Sequence, residues 1–155
     1  GMSCRRIPSA TIRSLRNGAN AMMKTYKGSC HCGAIKYEAD IDLAQGTGRC
    51  NCTYCLKTRA WAATIKPAHF RLTSDSARAV AYRGHPQAPV KFHCGNCGVH
   101  THAEGDAEYM GGAFVQIFVA TLDDASSDDL MNGPIRYSDG RNNNWTNPPS
   151  DIRHL

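Results

Sequence analysis

No apolar stretch in these 155 residues runs beyond a few positions, far short of the roughly 20 that a membrane-spanning helix needs. No secretory apolar segment opens the chain, so its eight cysteines need not mean disulfides. The expectation is therefore a soluble, cytoplasmic protein with no membrane partner. There is no glycine-rich phosphate loop, no internal repeat and no helical period longer than about two turns. A content of 41% hydrophobic residues sets disorder aside. The length fits one domain, able to hide roughly 68–70% of its unfolded surface in its own core.

Acidic residues are missing altogether before Glu38, whereas Arg5, Arg6, Arg13, Arg16, Lys24 and Lys27 all precede it. The remaining chain carries 12 basic against 13 acidic residues, so the net charge of +5 belongs to an N-terminal arm and not to the body. Tyr54, Trp61 and Phe70 do not interleave with a basic stripe, and no specific nucleic-acid partner is expected. Residues 1–22 are read as a basic extension, an over-long start in preference to an organelle transit peptide, with Gly1 a tag remnant and Cys4 a bystander thiol. Residues 23–136 are expected to form the domain, and 137–155 an irregular tail packed on it.

From Lys24 onward the texture is that of a β protein. Ile35, Tyr37, Ala39 and Ile41 alternate with Lys36, Glu38 and Asp40, the period of a half-buried strand. Trp61–Ile65, Phe70–Thr73 and Ala79–Tyr82 read as further short strands. A hairpin is expected from Val90 to Ala103, and the strongest apolar run is Tyr109–Leu122. The aspartates around Ser126 and Ser127 suggest a solvated loop or a short capped helix, and the chain after Met131 reads as polar and irregular. The expected fold is mainly antiparallel β.

Seven cysteines fall into three clusters: Cys30 and Cys32; Cys50, Cys52 and Cys55; Cys94 and Cys97. Two-residue gaps bounded by glycine let both sulfurs point into one turn, the knuckle that tetrahedral zinc uses. A one-residue gap in a strand puts both sulfurs on one face. An odd number of clustered cysteines argues against a disulfide framework. The simplest partition joins Cys30, Cys32, Cys94 and Cys97 as a closed structural site and leaves Cys50, Cys52 and Cys55 as a three-thiolate set. Three protein ligands and an open position mark catalytic zinc. Alternatively, His93, His100, His102 or Glu104 supplies a fourth ligand and the triplet is a second clip. His31, inside the first cluster, is read as structural, and Tyr54 lies between two triplet ligands.

The order Gly28-Ser29-Cys30-His31-Cys32-Gly33, then Cys50-x-Cys52-x-x-Cys55-x-Lys57, then Phe92-x-Cys94-x-x-Cys97-Gly98 resembles the glutathione-dependent formaldehyde-activating enzyme family, also called the centromere-protein-V/GFA domain. The resemblance runs from about Lys24 to Leu122, and Ala120–Asp124 is similar to the usual end of the family's last core strand. It implies a GFA-like antiparallel β-tent in a single domain and two zinc ions per chain. Cys30, Cys32, Cys94 and Cys97 match the family's structural ligands, and Cys50, Cys52 and Cys55 its catalytic ones. The implied activity is that of a carbon–sulfur lyase run as a synthase, condensing glutathione or a similar thiol with formaldehyde or another small aldehyde. After the last ligand the chain reads Leu56-Lys57-Thr58-Arg59-Ala60-Trp61, bulkier and more basic than the family's usual small-residue stretch. Lys57 and Arg59 are candidates for a substrate carboxylate, and Trp61 for a pocket wall. The competing reading is a non-catalytic, zinc-stabilised β module that recognises a protein partner through one sheet face.

Overall fold

The computed structural model describes residues 22–155, so the readings of the basic arm and of Cys4 lie outside the described residues. Among the described residues, ten strands form two sheets. A small sheet has the order β1-β2-β5, built from β1 (Lys24–Ser29), β2 (Lys36–Ile41) and β5 (Phe70–Leu72). The large sheet contains β3 (Thr47–Cys50), β4 (Trp61–Ile65), β6 (Ala79–Tyr82), β7 (Val90–Cys94), β8 (His100–Ala107), β9 (Gly112–Phe118) and β10 (Ile135–Ser138). Its order is β10-β3-β4-β9-β8-β7-β6. Two short helices, α1 (Thr53–Thr58) and α2 (Ser127–Met131), complete the regular structure alongside several single-turn 3₁₀ segments. Among the described residues, no helix is long and apolar enough to cross a membrane.

The alternation in β2 does what its period requires. Tyr37, Ala39 and Ile41 are buried while Lys36 stays in water. They meet Ala63 of β4 and Val115 and Ile117 of β9, so the main core lies between the two sheets. The Thr121 hydroxyl donates to the Phe118 carbonyl at 2.8 Å, and the buried Tyr37 hydroxyl therefore donates to Thr121 at 2.7 Å. A second, smaller core surrounds Ile35 and includes Cys30 and Cys94.

Every pairing in the large sheet is antiparallel except one. β10 runs parallel to β3, with Ser138 opposite Cys50. The stretch after Met131 is thus not irregular throughout: β10 crosses position 137, where the sequence suggests a tail. Ile135–Ser138 is only four residues long, and its partner lies far upstream, so nothing local marks it as a strand. β1 is similarly silent in the sequence, since Tyr26 is its one large buried side chain. The aspartate-rich segment becomes α2, started by a capping box between Ser126 and Asp129.

His102 is buried at 2% exposure, with its ring between Phe92 (centroids 4.6 Å, stacked) and Phe70 (4.7 Å). Burial holds it neutral and lowers its pKa to about 4. The unfolded chain therefore binds this proton more readily. Stability is full above the ordinary value near 6.5 and falls as pH drops from there toward about 4, by on the order of 3 kcal/mol. A His102→Phe variant is expected to lose that part of the slope in denaturant titrations between those pH values. An unchanged slope would show that another group carries it.

Candidate functional site

Two turns of nearly the same shape bring four cysteines together. In the β1–β2 turn the Cys30 amide donates to the Ile35 carbonyl at 3.1 Å, and in the β7–β8 turn the Cys94 amide donates to the Val99 carbonyl at 2.9 Å. Each turn closes through a glycine at φ 77°, Gly33 and Gly98, a left-handed conformation in which a side chain is strained. Amides point at the sulfurs: Ile35 at Cys30 Sγ (3.2 Å), and Asn96 and Cys97 at Cys94 Sγ (3.4 and 3.5 Å). The ligand atoms of Cys30, Cys32, Cys94 and Cys97 all lie within 4.8 Å of one another. Cys30 and Cys32 sulfurs are 3.8 Å apart, and Cys32 and Cys94 sulfurs 3.7 Å. A tetrahedron of sulfurs at about 2.3 Å from a central ion has edges of about 3.8 Å, so the donor set fits a thiolate-bound metal. The cluster joins a turn of the small sheet to a turn of the large one.

Burial raises the Cys30 thiol, while a hydrogen bond from Asn96 lowers Cys32 to about 6 and the Val99 amide lowers Cys97. His31 lies in the first turn but does not join the ligand set.

The triplet is built differently. Cys50 ends β3, Cys52 is the N-cap of α1, and Cys55 lies inside that helix. The Cys52 amide donates to Cys50 Sγ at 3.2 Å. The three sulfurs also lie within 4.8 Å of one another, and among the described residues no histidine or carboxylate joins them. Hydrogen bonds from Cys50 and then Cys55 hold Cys52 far below the ordinary thiol range. Cys52 in turn raises Cys50, and Cys50 raises Cys55. The trio shares its protons as one unit and is primed to present thiolate.

The residues weighed as a fourth ligand sit elsewhere. His100 Nδ1 meets the Tyr54 hydroxyl at 2.5 Å, His102 is stacked in the core, and His93 lies beside His100 with ring centroids 5.4 Å apart. Glu104 is exposed on β8.

The chain after β10 folds back over the triplet. The buried Asn51 clamps it: its side-chain amide donates to Asp139 at 2.7 Å, and its carbonyl oxygen accepts from the Arg141 amide at 2.9 Å. Gly140 passes so close that a Cβ there would sit 2.6 Å from Cys50 Sγ and from the Trp145 ring. Beside the triplet, Arg49, Cys50, Cys55, Leu56, Arg59, Ala60 and Leu155 enclose a cavity of about 10 Å³, room for a single water.

Of the other sequence candidates, Arg59 borders this cavity. It caps α1 in the left-handed region (φ 55°) and donates from Nη1 to the His154 carbonyl at 2.7 Å. Trp61 packs against the main core, its indole donating to Thr47 at 2.7 Å. The guanidinium of Arg49 lies over that ring at 4.9 Å, which holds Arg49 at the cavity wall. Lys57 faces the opposite side of α1 and lines a different cleft. Arg49, Asn51, Gly140 and Leu155 were not singled out by sequence; only Asn51, between two ligands, carried a positional signal.

The family described as "Glutathione-dependent formaldehyde-activating enzyme" matches residues 25–133. No curated protein matches the chain. A crystal structure of a Rhodobacter sphaeroides protein superposes with a TM-score of 0.60 at 25% identity, covering 72% of this chain and 99% of that one. β10 and the segment that folds over the triplet lie beyond the residues matched by the family.

Proposed function

The chain belongs to the glutathione-dependent formaldehyde-activating enzyme family, and from that premise we propose that it is a zinc enzyme joining a thiol to a small aldehyde at Cys50, Cys52 and Cys55. The observation that carries this reading is the three-sulfur set with no fourth protein ligand, set against a four-sulfur set that is already complete. In this reading the chain holds two zinc ions: Cys30, Cys32, Cys94 and Cys97 form the structural site, and the triplet keeps an open position. Zinc at such a position lowers the pKa of a thiol brought to it and so supplies a thiolate near neutral pH.

The chain's own residues do the rest. Asn51, through its grip on Asp139 and Arg141, keeps the covering segment in place and bulk water away from the sulfurs. Arg59 is the cation at the cavity whose guanidinium now spends a hydrogen bond on a backbone carbonyl, and a substrate carboxylate would make a stronger, charge-assisted partner. Arg49, fixed over Trp61, offers a second positive charge. A thiol held at the open position beside the aldehyde would meet it in a near-unimolecular step. In that step the thiol sulfur bonds to the carbonyl carbon, the C=O π pair moves onto oxygen, and the proton lost by the thiol ends on that oxygen. With glutathione and formaldehyde the product is S-(hydroxymethyl)glutathione.

The test is the rate of glutathione–formaldehyde adduct formation by NMR exchange, with and without the zinc-loaded protein. The expected result is acceleration above the spontaneous rate. Equal rates with glutathione and with a panel of smaller thiols would overturn the reading.

A further inference from the structure

On the face of α1 turned away from the triplet, Thr53, Tyr54, Lys57, Thr58, Tyr82, His93 and His100 line an open cleft of about 500 Å³. Helical geometry separates the two sides: 53, 54, 57 and 58 share one face, whereas Cys55, Leu56 and Arg59 share the other. From these residues we propose that the cleft is a binding site for a small organic anion, a carboxylate carried on a flat apolar body. The proposal does not depend on the chemistry assigned to the triplet.

Three features point to this ligand class. The wall is aromatic: the Tyr54 and Tyr82 rings lie 6.1 Å apart and nearly parallel at 14°, and both are part of the lining. The charge is one-sided. Lys57 lines the cleft without an ion pair, Lys91 Nζ sits 4.6 Å over the Tyr54 ring, and no carboxylate lines the cleft, so cations are repelled and an anion is drawn in.

Part of the hydrogen-bonding capacity is also unspent, although the Thr58 hydroxyl donates to the Tyr54 carbonyl at 2.8 Å. His93 lines the cleft and makes no side-chain hydrogen bond; its Nδ1 is buried. His100 shares one hydrogen bond with the Tyr54 hydroxyl through Nδ1, and among the described residues no protein group engages its Nε2. The two imidazoles, the Lys57 ammonium and the Thr53 hydroxyl thus line a mostly apolar cleft, the composition by which proteins orient a small ligand.

Benzoate is the probe and benzylamine, the same ring with the opposite charge, its control. Both are titrated into the zinc-loaded full chain while the ring signals of His93 and His100 and the indole signal of Trp145 are followed by NMR. Benzoate is expected to move both imidazoles saturably, benzylamine to leave them in place, and Lys57→Ala to weaken benzoate about tenfold, as loss of one charged hydrogen bond does. No saturable shift, an equal response to benzylamine, or unchanged benzoate binding in Lys57→Ala would overturn the proposal. A shift of Trp145 in place of the imidazoles would put the anion on the triplet side of α1 and overturn it equally.

Discussion

A Cys94→Ser variant is expected not to fold. Cys94 is buried at 1% exposure, sits in the ligand set with Cys30, Cys32 and Cys97, and receives amide hydrogen bonds from Asn96 and Cys97. Structural zinc contributes an apparent ~10–16 kcal/mol in small domains, as much as or more than the roughly 5–15 kcal/mol by which a whole domain is stable. The effect is large here because the core around this cluster is small: Ile35 is the only large aliphatic among its buried members. Losing the ion would free the β1–β2 turn from the β7–β8 turn and open the end of the molecule where the two sheets meet. Circular dichroism melts and proton NMR dispersion of the purified variant are the measurement. A cooperative transition within a few degrees of the parent would refute the structural role.

Cys52→Ser is expected to do the opposite, folding like the parent while the adduct-forming rate falls to the spontaneous background. The triplet is only half-buried, and the elements that carry it are held by their own contacts: β3 by β4 and β10, α1 by its own turns, and the covering segment by Asn51. None of these needs Cys52 Sγ. Activity does, because losing even an outer partner of a metal ligand costs about 10–100-fold, so losing the ligand should cost at least about 100-fold. Metal analysis should find two zinc ions in the parent and one in the variant. A variant that keeps the parental rate would remove the triplet from the reaction, whatever its metal content.

These two variants also show which parts of the molecule the sequence reveals. Spacing reveals the three cysteine clusters, and counting four ligands to a closed site gives as the simplest partition the two sets that the fold brings together. The strands with their own pattern are equally legible: β4 and β6 coincide with the apolar runs Trp61–Ile65 and Ala79–Tyr82, and β2 follows its alternation. What escapes is structure defined by a distant partner. β10 is a strand only because β3 waits for it, and the walls of the triplet cavity, Arg49 and Leu155 among them, meet only after the chain has folded back. Arg59 and Lys57 look equivalent in a basic hexapeptide, yet two positions along a short helix put them on opposite faces. Charge is visible in a sequence; which of two clefts it serves is decided by the helix.

The parallel pairing of β10 with β3 has a consequence for how the protein is made. Every ligand of the four-cysteine cluster has left the ribosome soon after Cys97, so the staple between the sheets can close while the chain is still growing. The triplet's own sulfurs emerge earlier, but their shelter does not exist until Ser138 has paired beside Cys50 and Gly140 has slid across its sulfur. At roughly 5–20 residues per second that interval lasts seconds, during which three thiols stand at the open edge of β3. The four-cysteine scaffold therefore matures first and the triplet last, and β10 also brings the triplet's cover.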